Sequence, residues 1–171
     1  ERGGDSWSDL PVMFRAGSDS WIPGSYDPET QTLFHGTSQA KPWARFARGT
    51  DGDALYTNST LALDLNTGEM KWYFQHLPGE TLDMDEVFER ILIDYDDRRS
   101  VFTMGKMAVL WELDRVTGRF VNAHDLGYQT FANVDQLTGA VSYREGMIPE
   151  LNKEIFWCPS TAGFKSWRAM S

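Results

Sequence analysis

Three copies of one five-residue turn, Asp64-Leu-Asn-Thr-Gly68, Asp114-Arg-Val-Thr-Gly118 and Asp135-Gln-Leu-Thr-Gly139, constrain the fold more than any other feature. Asp27-Pro-Glu-Thr-Gln31 is a degraded fourth. In such a turn the Asp carboxylate accepts hydrogen bonds from the turn's own amides, and Gly takes the positive φ that a tight reversal demands. Each turn follows an apolar run, and the strand leaving it carries an aromatic, as in Gly68-Glu-Met-Lys-Trp72, Gly118-Arg-Phe120 and Gly139-Ala-Val-Ser-Tyr143. Hairpins repeated at irregular intervals, without helices between them, suit the blades of a β-propeller with variable loops. Unrelated hairpins in a β-sandwich remain the competing architecture.

The remaining chain reads the same way. Seven Trp, six Tyr and ten Phe sit in short β-branched and aromatic runs punctuated by Gly, Asp, Asn and Pro, which is a strand-and-turn pattern. Strands are predicted near Thr32 to His35, Ala54 to Leu63, Met70 to Gln75, Ile91 to Tyr95, Ser100 to Met104 and Ala108 to Leu113. Others are predicted near Phe120 to Ala123, Gln129 to Asn133, Val141 to Tyr143 and Glu154 to Cys158. The one helical candidate is Met84 to Ile91, where Val87 and Ile91 would share a face.

A hydrophobic content of 41% in 171 residues is enough for a real core. The net charge of −9 speaks against a nucleic-acid surface, which needs clustered Lys and Arg. A single cysteine, Cys158, excludes a disulfide within the segment and a Cys-rich metal site. No apolar run reaches the roughly 18 residues of a membrane span. Glu1-Arg-Gly-Gly is not a signal peptide, and both ends read as interior to a longer chain.

Asp83-Met-Asp85 is the most chemical of the short motifs. In an extended segment its two carboxylates point to one side, which makes either a hard-cation site or an acid/base pair. Most Asp-x-Asp pairs are solvated turns, and an EF-hand is excluded because the central Gly and later oxygen ligands are missing. His35, His76 and His124 lack metal-ligand spacing and read as structural or surface residues. Asn58-Ser-Thr60 matches a glycosylation sequon inside a predicted strand and reads as chance.

Ala62-Leu-Asp-Leu-Asn-Thr-Gly-Glu-Met-Lys-Trp72 resembles the tryptophan-docking motif of quinoprotein alcohol dehydrogenases, which hold pyrroloquinoline quinone (PQQ) and a metal ion in a β-propeller. Trp21-Ile-Pro-Gly-Ser-Tyr-Asp-Pro28, Gly36-Thr-Ser-Gln-Ala-Lys-Pro-Trp43, Leu82-Asp-Met-Asp-Glu86, Met104-Gly-Lys106 and Cys158-Pro-Ser-Thr-Ala-Gly163 resemble further segments of that family, in the family's order. The resemblance implies an all-β fold in which residues 1–171 supply about three blades of an eight-bladed, PQQ-binding propeller. Several cofactor contacts, a vicinal disulfide and a glutamate metal ligand would then lie upstream.

The same resemblance implies roles. Trp21 matches the indole that lies flat against the quinone, and Lys106 the cation at its carbonyl oxygens. Asp83 matches the base that takes the alcohol's hydroxyl proton and also a metal ligand. Asp85, an acid two residues after that base, is similar to the lanthanide-dependent members, where a trivalent ion rewards another carboxylate; calcium-dependent members usually carry a small or neutral residue there. Gln39 stands where the family usually has an Asn metal ligand, so the backbone withdraws, the metal shell loosens, or this branch does without the ligand. Ser166 and Trp167 fall where the family presents Asn and Trp at the cofactor edge. The loop holding Arg45, Arg48 and Asp51 to Asp53 is two residues longer than expected and is a candidate for shaping the substrate entrance.

The expected function is periplasmic oxidation of a primary alcohol to an aldehyde, with PQQ and a lanthanide or calcium ion as cofactors. Cytochrome c is the expected electron acceptor, and a homodimer is an allowed assembly. A non-catalytic propeller scaffold and a PQQ-dependent sugar dehydrogenase are the alternatives. Trp21, Asp83 and Lys106 speak against the scaffold, which needs no stacked aromatic, base and cation at these positions.

Overall fold

A computed structural model of the chain describes residues 5–170, so Glu1-Arg-Gly-Gly and Ser171 lie outside it. Among the described residues, ten strands form three antiparallel sheets. The first sheet has the order β1 (Ser25–Asp27), β2 (Thr32–Gly36), β3 (Ser59–Asp64), β4 (Met70–Gln75). The second repeats that meander with β5 (Ile91–Tyr95), β6 (Arg98–Met104), β7 (Val109–Asp114) and β8 (Phe120–Asp125). The third pairs β9 (Ala132–Val134) with β10 (Val141–Tyr143). Two complete four-stranded blades and part of a third match the all-β propeller expectation. The described helices are a turn at Val12–Phe14 and α1 (Arg45–Arg48), and none is long and apolar enough to cross a membrane.

The repeated turns form as their chemistry dictates. Asp64 Oδ1 accepts the amides of Asn66 and Thr67 at 2.9 and 3.1 Å. Asp114 Oδ1 accepts those of Val116 and Thr117 at 3.1 and 2.7 Å, and Asp135 Oδ1 those of Leu137 and Thr138 at 2.9 and 2.8 Å. In the degraded copy Asp27 Oδ1 accepts the Glu29 amide at 3.0 Å, and Gln31 takes the left-handed slot with φ +51°.

These turns also join neighbouring sheets. Phe34, Ala62 and Trp72 of the first sheet form one buried cluster with Val101 and Leu113 of the second. The Trp72 indole lies on the turn of the next sheet, where a Cβ at Gly118 would sit 2.5 Å from its ring carbons. Gly118 is therefore required twice, by its φ of +73° and by the indole above it. Phe120 covers Gly139 in the same way, one sheet further on. Polar contacts reinforce the first junction: Arg115 reaches Asp27 across it at 3.4 Å, and Arg99 reaches Glu29 at 2.6 Å.

Several predicted elements differ. Strand β3 starts at Ser59 and not at Ala54, because Ala54 and Asn58 adopt φ +53° and +51°, conformations that no strand contains. Strand β9 starts at Ala132 because the Gln129 side chain takes the Phe131 and Ala132 amides at 3.1 and 2.9 Å. Glu154 to Cys158 forms no strand. The helical candidate at Met84 to Ile91 is irregular chain leading into β5. There the Arg90 guanidinium takes the Glu86 carbonyl at 2.8 Å and the Phe88 carbonyl as well, in place of helical amides. β1 and α1 were not anticipated, since three or four residues carry too little periodicity.

We expect Gly118→Ala in the full-length protein to cost more than the ~1–2 kcal/mol of placing a Cβ in the left-handed region. In a Trp72→Ala background, itself destabilised by about 3–5 kcal/mol, the cost of Gly118→Ala should shrink. Urea unfolding of the double-mutant cycle checks this, and additivity to within about 0.5 kcal/mol would show that the indole does not rest on the turn.

Candidate active site

The chain between β4 and β5 is where acidic side chains concentrate. Residues 80–86 hold four carboxylates, Glu80, Asp83, Asp85 and Glu86. Leu82 and Met84, between them, are fully buried against Met107, Val109 and Trp111 of the second sheet and Phe131 and Ala132 of the third. With these apolar side chains turned into the core, the Asp83 carboxyl keeps 25% exposure while that of Asp85 is buried. Asp83 itself has φ +61°.

Lys106, in the loop between β6 and β7, faces this segment and is buried. Its Nζ lies 2.8 Å from Asp85 Oδ2 and 3.4 Å from Asp83 Oδ2, and donates to the Asp83 carbonyl at 2.9 Å. The Lys106 amide in turn donates to the Asp85 carbonyl at 3.1 Å. Gln39 joins the group through its backbone, which donates to Asp85 Oδ1 at 3.0 Å. Asp83 and Asp85 therefore meet around the Lys106 ammonium, and Gln39 reaches Asp85 from a third stretch of the chain.

Trp21 and Trp167 form a second group. Their rings stack at 4.4 Å with a 42° tilt, and Trp21 meets Phe88 edge-on at 5.4 Å. Trp167 is 75% exposed. Lys165 lies over Phe88 at 4.6 Å and pairs with Glu89 at 3.1 Å. Ser166 lies half-buried in the same loop. The two groups are linked by backbone, since the Phe164 amide donates to the Lys106 carbonyl at 3.1 Å. The ring contacts of Trp21 are with Phe88 and Trp167, and the ion pairs of Lys106 are with Asp83 and Asp85.

Burial sets the electrostatics. Asp83 is raised above the usual carboxylate range chiefly by desolvation, with Lys106 opposing. Burial lifts Glu80 to about 7 against the amides of Met84 and Leu82, and lifts Glu86 to about 8 against the Met107 amide and Arg90. Arg90 is itself buried, held down to about 10 by desolvation. It donates to Thr60 Oγ1 at 2.8 Å and to the Ser59 carbonyl at 3.2 Å.

The sequence did not point to Glu80 or Arg90, gave Glu86 only as the end of a motif, and offered Asn58 only as a chance sequon. All four are buried polar residues, and charge in a sequence does not declare its burial. Asn58, at 0% exposure, is closed to glycosylation. His76 is also fully buried, bonded to Thr60 at 2.8 Å and packed between Phe74 and Trp111; His124 is exposed on β8 and His35 contacts Ser20. The long loop turns inward: Arg45 donates to the Gly79 carbonyl at 2.6 Å, and Arg48 to the carbonyls of Pro42, Trp43 and Glu80 at 2.9, 3.0 and 3.0 Å.

The two carboxylates are hard oxygen donors and fit part of the shell of a hard cation, whereas Gln39 meets Asp85 through its backbone amide. Among the described residues no three His, Cys, Asp or Glu side chains cluster closely enough to hold a metal ion, so further ligands would have to come from elsewhere. For a planar cofactor, Trp21 already presents its indole to a second flat ring.

Comparison with known proteins identifies the family and the fold. The PQQ family described as glucose/ethanol/alcohol dehydrogenase, β-propeller domain, matches residues 3–124. The chain is 33% identical over 161 residues to the quinohemoprotein alcohol dehydrogenase ADH IIB of Pseudomonas putida, covering 91% of this chain and 23% of that protein. It is 30% identical over 186 residues to the quinoprotein alcohol dehydrogenase PedH of Pseudomonas putida, covering 98% and 29%. The solved quinohemoprotein alcohol dehydrogenase ADHIIG of Pseudomonas putida HK5 superposes with a TM-score of 0.83 at 27% identity, over 91% of this chain and 24% of that one. A europium-containing methanol dehydrogenase shares the fold, with a TM-score of 0.81 at 24% identity over 88% of this chain and 27% of that one. The chain thus spans about a quarter of the length of the curated relatives it matches.

The raised carboxyls predict an inverted pH dependence. Glu80 and Glu86 hold protons in the folded state that the unfolded chain, near 4.5, has released. Their contribution is therefore complete below about pH 4.5 and is lost as pH rises through about 7 and 8, by up to ~1.4 kcal/mol per unit for each group. His76, kept neutral by burial, acts oppositely but only as pH falls below its unfolded value of 6.5. The full-length protein should lose thermal stability between pH 6.5 and 8, and Glu86→Gln should flatten that slope. A melting temperature that rises across this range contradicts the assignment.

Proposed function

This chain belongs to the PQQ-dependent glucose/ethanol/alcohol dehydrogenase β-propeller family, and from that premise we propose that the full-length protein oxidises primary alcohols to aldehydes. The observation that carries the reading is the Lys106 ammonium between Asp83 and Asp85, at 3.4 and 2.8 Å. When bound, PQQ would supply the two-electron acceptor for the hydride from the alcohol carbon, and a hard cation would supply Lewis-acid polarisation.

Asp83 is the base. Its carboxyl is partly exposed, raised by burial, and so matched to taking the hydroxyl proton as the carbon loses hydride. The products are an aldehyde, a proton on Asp83 and a reduced cofactor. Lys106 holds the base through its side chain and carbonyl together and would offer positive charge to a quinone oxygen when the cofactor is bound. Asp83, Asp85 and Gln39 would contribute oxygen ligands to the cation, and Trp21, with Trp167 and Ser166 nearby, the face and edge of the quinone pocket. The second carboxylate, Asp85, favours a trivalent lanthanide over calcium. Reduced cofactor would pass electrons to a cytochrome c in the periplasm, and the acidic chain suits a basic partner.

The family description names glucose as well as alcohols, so a sugar is the competing substrate. Full-length protein, freed of metal and reloaded with PQQ and either lanthanum or calcium, should reduce a dye acceptor with ethanol faster than with glucose, and faster with lanthanum. Asp83→Asn should lower turnover by about 10²-fold or more, as loss of a general base does. Faster turnover of glucose favours the sugar reading, and turnover with calcium alone contradicts the lanthanide preference. No PQQ-dependent turnover with either metal contradicts the dehydrogenase reading and favours a scaffold.

A further inference from the structure

The backbone on both sides of Asp83 is held by side chains and not by strand pairing. Glu80 Oε1 accepts the Met84 amide at 3.0 Å and also the Leu82 amide, so one carboxylate grips the residue before Asp83 and the residue after it. Asn58 Nδ2 donates to the Met84 carbonyl at 2.6 Å. Both side chains are at 0% exposure. With the Asp83 carbonyl taken by Lys106, four backbone groups around Asp83 are tied to three side chains. Asp83 meanwhile stands at φ +61°, a region that Asp tolerates better than most residues but that still costs more than the ordinary α or β conformations.

Each clamp residue is itself fixed from behind. The Glu80 carbonyl accepts Arg48 Nη2 at 3.0 Å, and the Gly79 carbonyl accepts Arg45 Nε at 2.6 Å. Asn58 donates its amide to the Ser38 carbonyl at 2.7 Å and accepts the His76 amide at 2.9 Å. Ser38 precedes Gln39, whose own amide reaches Asp85. Asn58 therefore ties the Gln39 stretch to the Asp83 stretch, and its φ of +51° lets it face both.

We infer that Glu80 and Asn58 are positioning residues, a paired clamp that holds Asp83 in its left-handed conformation and thereby sets the direction of the Asp83 and Asp85 carboxylates. The inference rests on the reading of Asp83 and Asp85 as base and cation ligands. Neither clamp residue needs to touch substrate or cofactor. Glu80 acts by offering one oxygen to two amides, a task that a neutral Gln carbonyl performs equally well. Asn58 acts by donating, which no side chain at glycine can do, while glycine keeps the positive φ.

The test uses the full-length protein and three variants, Glu80→Gln, Glu80→Ala and Asn58→Gly. Hydrogen exchange over residues 80–86 reads the clamp directly, and calorimetric titration with lanthanum and calcium chlorides reads the carboxylates. Glu80→Gln should exchange and bind metal within about threefold of wild type. Glu80→Ala and Asn58→Gly should exchange at least about tenfold faster over 80–86, with β3 and β7 unchanged, and bind metal about 10–100-fold more weakly, the scale seen when groups supporting metal ligands are lost. If Glu80→Ala fails to fold, the other two variants decide. Exchange and affinity within threefold of wild type in Asn58→Gly and in a folded Glu80→Ala overturn the inference, as does a Glu80→Gln that is as impaired as Glu80→Ala. A wild type that binds neither metal overturns the reading of the site instead, and the exchange rates alone then judge the clamp.

Discussion

Keeping four acidic side chains within seven residues, between two sheets and largely away from water, is the constraint on which the rest of this structure depends. Buried carboxylates are costly unless they are paired, bonded or neutral, and the chain uses all three remedies. Asp85 is paired with Lys106 and bonded to the Gln39 amide. Glu80 is bonded to two amides and Glu86 to one, and both are pushed toward neutrality. Among the four, Asp83 keeps the greatest exposure to solvent, which is what its proposed role as base requires.

The sheets provide what this arrangement needs. Trp72 on the Gly118 turn and the shared cluster around Phe34 and Leu113 fix the first sheet against the second. The segment crossing between them, from Leu77 to Phe88, is then held on defined walls, with Leu82 and Met84 in the core of the second and third sheets. Lys106 projects from the second sheet's central hairpin and Asn58 stands at the mouth of β3, so both sheets contribute one polar grip each to the same stretch. A rigid frame that presents irregular backbone to a site is the usual division of labour between strands and loops.

How much of this was legible follows from the range of each interaction. The turns were readable because Asp64, Asp114 and Asp135 bond to amides two and three residues away, a purely local event. Their partners across sheets were readable as aromatics but not as contacts. Asp83, Asp85 and Lys106 were found through motif resemblance, and the structure brings them together; Trp21 pairs with Trp167 in an adjoining group. Glu80, Asn58 and Arg90 escaped because their importance lies in burial and in bonds to distant backbone, neither of which a residue type announces. The predicted strand at Ala54 failed for a related reason: positive φ at Ala54 has no signature in the residue type, and at Asn58 the residue type permits it without requiring it.

Under the proposed function the Asp83 and Asp85 carboxylates would face a cation beside a flat redox ring resting on Trp21. Diffraction from crystals of the full-length protein with PQQ and a lanthanide, recorded at the metal's absorption edge, tests it most directly. The account predicts an anomalous peak within bonding distance of Asp83 and Asp85 oxygens and tricyclic density over the Trp21 indole. An anomalous peak remote from both carboxylates, or a quinone bound away from Trp21 and Lys106, would contradict it.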